Sequence, residues 1–407
     1  MRVIHITHYA DLYGANRSLL DLLDAFQSNG SVIPTVLLPA EGPMCEALRT
    51  RGLPFSIIPF RPWMTARHFE GGAHHRLMQY LRYRGDAREN ARLNEGFAGT
   101  ALALASSLRA DLIHINSLAV GIGRYLTEVS SLPTVWHARE MPERQYGLHL
   151  DQGRRTYAAA LASATRIIAN SEATKIDVQR YIGSDKRVDV IHNGVFSLPQ
   201  YDQWQVDPQA RSMHAGPFTF LLVGVVHPSK GQEEAVRAMA LVKDRYPEAR
   251  LVLVGSGNVK PLQELMNSLD LNGNVDILGH RPNVDALYAK AQALLMCSRN
   301  EAFGRVTVEA MAHGVPVIAR AEAGTLEVLD HGRQGLLYQN GHEQLAQRMM
   351  SLIADPEAAR SLGQRGRVHV RGLFNSELCS ERVTAVFQAV AAGRAQRASE
   401  HRATDHP

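Results

Sequence analysis

Short runs of β-branched and aliphatic residues alternate with longer stretches whose apolar positions recur at helical spacing, and the alternation continues along most of the chain. That rhythm predicts parallel sheets covered by helices on both faces. In the first half the strand candidates are RVIHITH, VIPTVLL, FSIIPF, DLIHIN, TVWHA, RIIAN and VDVIH. A second series begins with FTFLLVG and continues through RLVLVG, VDILG, ALLMC, VPVIA and GLLYQ. Between them, residues 196–217 are rich in Pro, Gln and Asp and follow neither period, so they read as an interdomain linker. Each series predicts a doubly wound, Rossmann-like parallel sheet that binds ligands at the carboxyl ends of its strands, and two such sheets facing each other would form a cleft. The expected organisation is a first domain over 1–195, the linker 196–217, a second domain over 218–375, a helix over 376–392 returning to the first domain, and a disordered tail over 393–407.

Composition narrows the function classes. A chain of 407 residues has room for two or three domains, and 45% hydrophobic with 21% charged residues is an ordinary globular balance. Lys and Arg exceed Asp and Glu by only 44 − 40 = 4. Cys45, Cys297 and Cys379 lie far apart without metal-ligand spacing, which argues against a disulfide framework or a zinc module and fits a reduced, cytoplasmic setting. No apolar run approaches the ~18 residues of a membrane span, and Asp11 arrives too early for a signal-peptide core.

The most informative segment is SRNEAFGRVTVEAMAHGVPVIA, residues 298–319. Glu301 is expected in the loop leaving a strand, and Glu309 near the beginning of a helix that follows Gly304 and stops at Gly314. The free N–H groups of that helix start would lie between the two acids and attract a phosphate. A carboxylate on each side could accept hydrogen bonds from hydroxyls, as a sugar nucleotide presents them. For an isolated pair the plainer reading holds, with Glu309 complementing the helix dipole and Glu301 a solvated loop acid. Here the glycine loop and the small-residue helix AMAHG shift the balance.

The segment resembles the E-x7-E signature of the retaining glycosyltransferases of family four, which have the two-domain GT-B fold. The stretch AGTLEVLDHGRQGLLY, residues 323–338, is similar to the same family. The resemblance implies that Glu301 holds hydroxyls of a donor sugar and Glu309 the ribose, while the amides of Phe303, Gly304, Arg305 and Val306 approach sugar and diphosphate. In VGVVHPSKGQEEAV, residues 223–236, it implies that Lys230 contacts the diphosphate, where a fixed ammonium would stabilise the leaving group. Relatives carry an arginine where this chain has Val225, and Arg305 or Arg17 are the substitutes to test. The loops at Gly255 and at His280 and Arg281 follow strands, and the family places them along the nucleotide.

In the first domain YGANRSLLDLLDAF resembles the family's first glycine loop, with Gly14 kept and Tyr13 and Asn16 departing from the pattern. His137, at the end of TVWHA, matches the family's histidine that touches the transferred sugar; a lone strand-end histidine is otherwise more often structural. His114 and Asn116 in HINS and Ser171 in ANSEATK match segments lining the acceptor side, together with Tyr13 and Arg17. Asn193-Gly194 reads as structure near the hinge. Residues 60–94 hold seven arginines against three acids, with Trp63, Phe69, Tyr80 and Tyr83 interspersed, which suits either a solvated helix or contact with an anionic membrane at the inner face.

These readings imply an enzyme that moves a hexosyl group from a UDP or GDP sugar to an acceptor hydroxyl, on a saccharide or lipid-linked saccharide of the cell envelope, with no nucleic-acid partner. The chain contains no D-x-D triplet, so neither a metal nor any cofactor beyond the donor is expected. Three alternatives stay open at this point. A glycoside hydrolase would need Glu301 and Glu309 ~5–9.5 Å apart with one raised pKa. A nicotinamide dehydrogenase lacks its G-x-G-x-x-G after the first strand, and a catalytically idle nucleotide-sugar-binding protein is compatible with Val225.

Overall fold

Both strand series assemble as parallel sheets. The structure, a computed structural model, describes residues 1–67, 69–204, 216–339 and 341–404. Among them, the first sheet contains β1 (Arg2–Ile6), β2 (Ile33–Leu38), β3 (Phe55–Ile57), β5 (Leu112–Ile115), β6 (Thr134–Ala138), β8 (Arg166–Ala169) and β9 (Val188–Val190), in the order β3-β2-β1-β5-β6-β8-β9. The second contains β10 (Thr219–Val223), β11 (Arg250–Val254), β12 (Val275–Ile277), β13 (Ala293–Met296), β14 (Val317–Arg320) and β15 (Leu336–Tyr338), in the order β12-β11-β10-β13-β14-β15. Every residue of β5, β6 and β13 is buried, as expected of central strands covered on both faces. In each sheet the strand order reverses at the first strand, between β1 and β5 and between β10 and β13. Loops leaving those pairs therefore flank a switch point, where doubly wound sheets bind ligands.

The chain divides into two compact units. Unit 1 is Met1–Gly194 with Ser376–Pro407, and unit 2 is Val195–Asn375. The helix Ser376–Thr404 belongs to unit 1 because Cys379, Val383, Phe387 and Val390 recur at helical spacing and bury against Leu19, Leu23 and Phe26 of the helix Gly14–Asn29. Asn29 donates to Ser380 Oγ at 3.3 Å across the same seam. This helix is continuous through Thr404, so the disordered tail expected from residue 393 is corrected over that stretch; residues 405–407 lie outside the described residues.

The linker expectation also needs correction. Phe196 bridges to Asn375, and Leu198–Gln203 is a short helix capped by Ser197, whose Oγ accepts from the Gln200 amide at 3.2 Å. Tyr201 is buried in unit 2, donating to the Arg367 carbonyl at 2.9 Å beneath the Arg367 guanidinium. Polar composition hid this because few apolar anchors are needed when the cap and a stacked arginine supply the fixing contacts. Residues 205–215 of the expected linker lie outside the described residues.

One addition in unit 1 is an antiparallel pair, β4 (Met64–Ala66) with β7 (Leu148–Leu150). Beside it runs the 35-residue helix Ala73–Ser107, whose Tyr83 hydroxyl donates to Asp151 at 2.8 Å while Arg67 lies 3.9 Å over the Tyr83 ring.

Candidate functional site

In unit 2 the loops after β10 and β13 are pressed together, backbone against backbone. A Cβ on Gly231, which has φ of +71°, would lie 2.4 Å from the Cys297 carbonyl oxygen, and the Arg299 amide donates to the Ser229 carbonyl at 2.7 Å. Only a glycine tolerates that combination of left-handed backbone and close approach. The contact fixes the single turn Pro228–Lys230 and places Lys230 just before the helix Gln232–Lys243. Gly255 has the same role one loop further out, since its Cβ would meet the Gly224 carbonyl at 1.8 Å.

Lys230 Nζ reaches Glu301 Oε2 at 2.7 Å, with the two side chains only 15% and 11% exposed. Glu301 packs on the cap of the next helix: a Cβ on Gly304 would stand 3.5 Å from Glu301 Cγ. Gly304 is left-handed (φ +84°) and caps the helix Arg305–Ala312, its carbonyl accepting from the Thr307 amide at 2.9 Å, so the positive end of the helix dipole lies at this loop. An ammonium, a carboxylate and a helix start thus occupy one spot, an arrangement suited to an anion bearing a hydroxylated group.

Glu309 is placed differently from the expectation. It sits one full turn inside the helix, where its Oε2 accepts from the Tyr288 hydroxyl at 3.0 Å and its Oε1 pairs with Arg305 at 3.4 Å. The side chain of Phe303 is buried against Phe374, with ring centroids 5.5 Å apart. Val306 follows Arg305 in the first helical turn. His280 and Arg281 are exposed in the turn after β12, and the Gly279 carbonyl there accepts from the Gly255 amide at 2.9 Å. At Val225 the carbonyl accepts from Gln232 at 2.8 Å.

In unit 1 the corresponding strand ends carry imidazoles and amides. His137 and His114 lie on neighbouring strands β6 and β5, with His114 Nε2 3.2 Å from His137 Nδ1. Just beyond, the buried Arg139 donates to Asn116 Oδ1 at 3.0 Å and to Asn193 Oδ1. Asn116 also donates to the Ala15 carbonyl at 3.2 Å. Burial and the neighbouring Arg139 hold the His137 and His114 imidazoles well below the ordinary histidine range. Glu140 accepts from Ser117 Oγ at 2.6 Å and the Leu118 amide at 2.7 Å, and burial pushes its carboxyl upward.

Ser171 does not join this group. Its hydroxyl accepts from the Thr174 amide at 3.0 Å, capping the helix Glu172–Ile182, and it is fully buried. Gly14 is the first residue of its helix, with Tyr13 exposed ahead of it and the Arg17 amide bonded to the Tyr13 carbonyl at 2.9 Å. A Cβ on Gly14 would meet nothing within 4 Å.

Sequence reasoning missed Tyr288, Arg139 and Glu140. Arg139 and Glu140 directly follow His137 at a strand end, a position that could have flagged them; Tyr288 lies in a helix whose contact with Glu309 leaves no mark in the sequence.

Residues 13–196 match the family model for Glycosyltransferase Family 4, and residues 206–369 match that for Glycosyl transferases group 1. The chain belongs to the family four glycosyltransferases. This glycosyltransferase is 28% identical over 284 residues to a D-inositol 3-phosphate glycosyltransferase of Arthrobacter sp. (strain FB24), covering 65% of the chain and 67% of the relative. It is 35% identical over 150 residues to the N-acetyl-alpha-D-glucosaminyl L-malate synthase of Bacillus anthracis, covering 36% of the chain and 39% of that relative. The crystal structure of Anabaena HepE in complex with UDP and glucose matches 96% of this chain and all of its own, with a TM-score of 0.75 at 22% identity. The glycosyltransferase has the GT-B fold.

Proposed function

We propose that unit 2 holds a nucleotide-diphosphate sugar without a metal ion, and that the enzyme transfers the sugar to an acceptor hydroxyl with retention of configuration. The observation that carries this reading is the Lys230–Glu301 pair at 2.7 Å on the cap of the Arg305–Ala312 helix. A bound donor would open that pair, its diphosphate taking the ammonium and its sugar hydroxyls donating to Glu301. Glu309 and the Arg305 side chain stand ready for the ribose and the diphosphate, and the turn at His280 and Arg281 for the base. The acceptor oxygen forms its bond to the anomeric carbon as the bond to the phosphate oxygen breaks, and that oxygen takes the acceptor's proton. No protein carboxylate is then needed as base.

HepE, crystallised with UDP and glucose, supports a UDP-hexose as the first donor to test. For the acceptor we propose a saccharide or lipid-linked saccharide, with contact to an anionic membrane at its inner face. Support comes from the helix Ala73–Ser107, which exposes Leu77, Met78, Tyr80 and Leu81 beside the exposed Arg76, Arg82, Arg84 and Arg88. Among the described residues no helix is long and apolar enough to cross a membrane.

The test is nucleoside diphosphate release from UDP-hexose or GDP-hexose, with and without acceptor and with EDTA. Release that depends on acceptor and ignores EDTA is expected. A need for a divalent cation, or failure to bind any nucleotide sugar, overturns the reading. Flotation with anionic but not neutral vesicles, lost in Leu77→Ser with Leu81→Ser, checks the membrane contact.

A further inference from the structure

Three histidines on adjacent strands of unit 1 form a buried chain. His5 on β1 is in register with His114 on β5, and their Nδ1 atoms are 2.9 Å apart. His114 Nε2 then meets His137 Nδ1 on β6 at 3.2 Å. All three residues are fully buried, and the two terminal nitrogens, His5 Nε2 and His137 Nε2, have no hydrogen-bond partner among the described residues.

Proton counting couples the two ends. A neutral imidazole has one N–H and one bare nitrogen. Two hydrogen bonds among three neutral rings therefore use two of the three protons, and the third must sit on one terminal Nε2 while the other is bare. Which end is bare depends on the surroundings. His5, at one end, packs beside the Phe26–Phe387 ring pair, with centroids 6.0 and 6.3 Å away, and no charged side chain of its own strand adjoins it. His137, at the other end, lies two residues before the buried Arg139, whose charge acts on its ring, and a guanidinium favours a facing lone pair over an N–H; the third proton is therefore placed at the His5 end. Protonation at His5 Nε2 makes His114 Nδ1 the donor to His5, His137 Nδ1 the donor to His114, and His137 Nε2 bare. Burial foremost, and the Arg139 charge after it, oppose a fourth proton and keep the chain neutral.

We propose that His5 and His114 are positioning residues that lock His137 as its Nδ1–H tautomer, so that His137 Nε2 is a pure acceptor for a substrate hydroxyl. The hydroxyl part of this inference rests on the transfer reading above. It predicts that analogues lacking that hydroxyl leave a buried lone pair unmet and react poorly.

The test is two-part. In protein labelled with 15N-histidine and free of substrate, the His137 Nε2 signal should be of the bare, pyridine type. His5→Phe, which keeps the ring shape but removes the acceptor for His114, should move it toward the protonated, pyrrole type; His5→Asn, which offers an oxygen near the position of Nδ1, should restore it. Transfer should follow, with kcat falling about five- to tenfold in His5→Phe at unchanged donor KM and returning in His5→Asn. A protonated His137 Nε2 in the wild type, or an unmoved signal in folded His5→Phe, overturns the inference, and the wild-type spectrum decides even if His5→Phe does not fold. Because the tautomer is read without substrate, a failed transfer reading leaves the spectra intact, while a wrong tautomer beside normal transfer sinks this inference alone.

Discussion

The carboxyl strand ends of the two units share one topology and differ in chemistry. In unit 2 the loops after β10 and β13 carry fixed charges, Lys230 with Glu301 and Arg305 with Glu309, each pair largely enclosed. In unit 1 the strands β1, β5 and β6 carry buried neutral imidazoles, His5, His114 and His137, and beyond them the buried guanidinium of Arg139 is bonded to the amides of Asn116 and Asn193. The proposed function accounts for this difference by what each end would meet. A diphosphate carries charge in every donor, so a fixed cation serves all of them. Hydroxyls are neutral and vary in position, so neutral donors and acceptors suit them and charge would only add a desolvation cost.

The largest effect expected from breaking this contrast is at Lys230. Lys230→Ala should lower kcat by about 10²–10³, the usual loss on removing a preorganised stabiliser of developing charge. It also leaves Glu301 without its ammonium, so turnover must be compared well below the melting temperature. Lys230→Arg, which keeps the charge at a different reach, should recover part of the rate. Retention of more than about a tenth of the activity in Lys230→Ala would remove the ammonium from the leaving-group role.

Acid should act mainly on unit 1. Free imidazoles take a proton near pH 6.5, whereas burial lowers His5 and His8 to about 3 and holds His114 and His137 well below 6.5. Between those limits the unfolded chain binds more protons, so stability is full above pH 6.5 and is lost as pH falls toward 3. Each such histidine contributes a slope of ~1.4 kcal/mol per pH unit. Hydrogen exchange at about pH 7 and 5 should show unit 1 amides losing protection before those of unit 2, with a shallower slope in His5→Phe. Equal loss in both units would contradict the asymmetry.

A smaller effect probes the second charged pair. Tyr288→Phe keeps the buried ring but deletes the 3.0 Å bond to Glu309. Losing one such bond is worth ~1 kcal/mol, so donor affinity should weaken about fivefold in calorimetry with kcat little changed. An equal fall in kcat would mean that Glu309 acts in the transition state.

Much of unit 2 was legible in the sequence because its site is local. Glu301, Gly304 and Glu309 lie within one strand–loop–helix unit, and Lys230 sits beside a glycine whose tight approach to Cys297 follows from the fold. Unit 1 was less legible because its site is made by register. His5 and His114 are 109 residues apart and meet only because β1 and β5 pair in a particular alignment. The three-residue strands β4 and β7 were missed for a related reason, being too short to show a period. Residues 196–204 misled in the opposite direction, since their anchoring depends on one tyrosine, a cap and a distant arginine.

The smallest effect separates the glycines of the two units. Gly231 is held by its fold, with positive φ and a carbonyl in the way, so it says nothing specific about ligands. Gly14 has no such reason: it is the first residue of its helix, its Cβ would meet open space, and alanine there should be neutral or stabilising by up to ~1 kcal/mol. If its missing side chain serves a ligand that approaches the backbone, Gly14→Ala should raise KM for donor or acceptor by about threefold, roughly 0.6 kcal/mol, while the melting temperature stays level or rises. A mutant as stable as the wild type with unchanged KM would show that unit 1 keeps ligands away from this helix start, and that its recognition rests on the imidazoles alone.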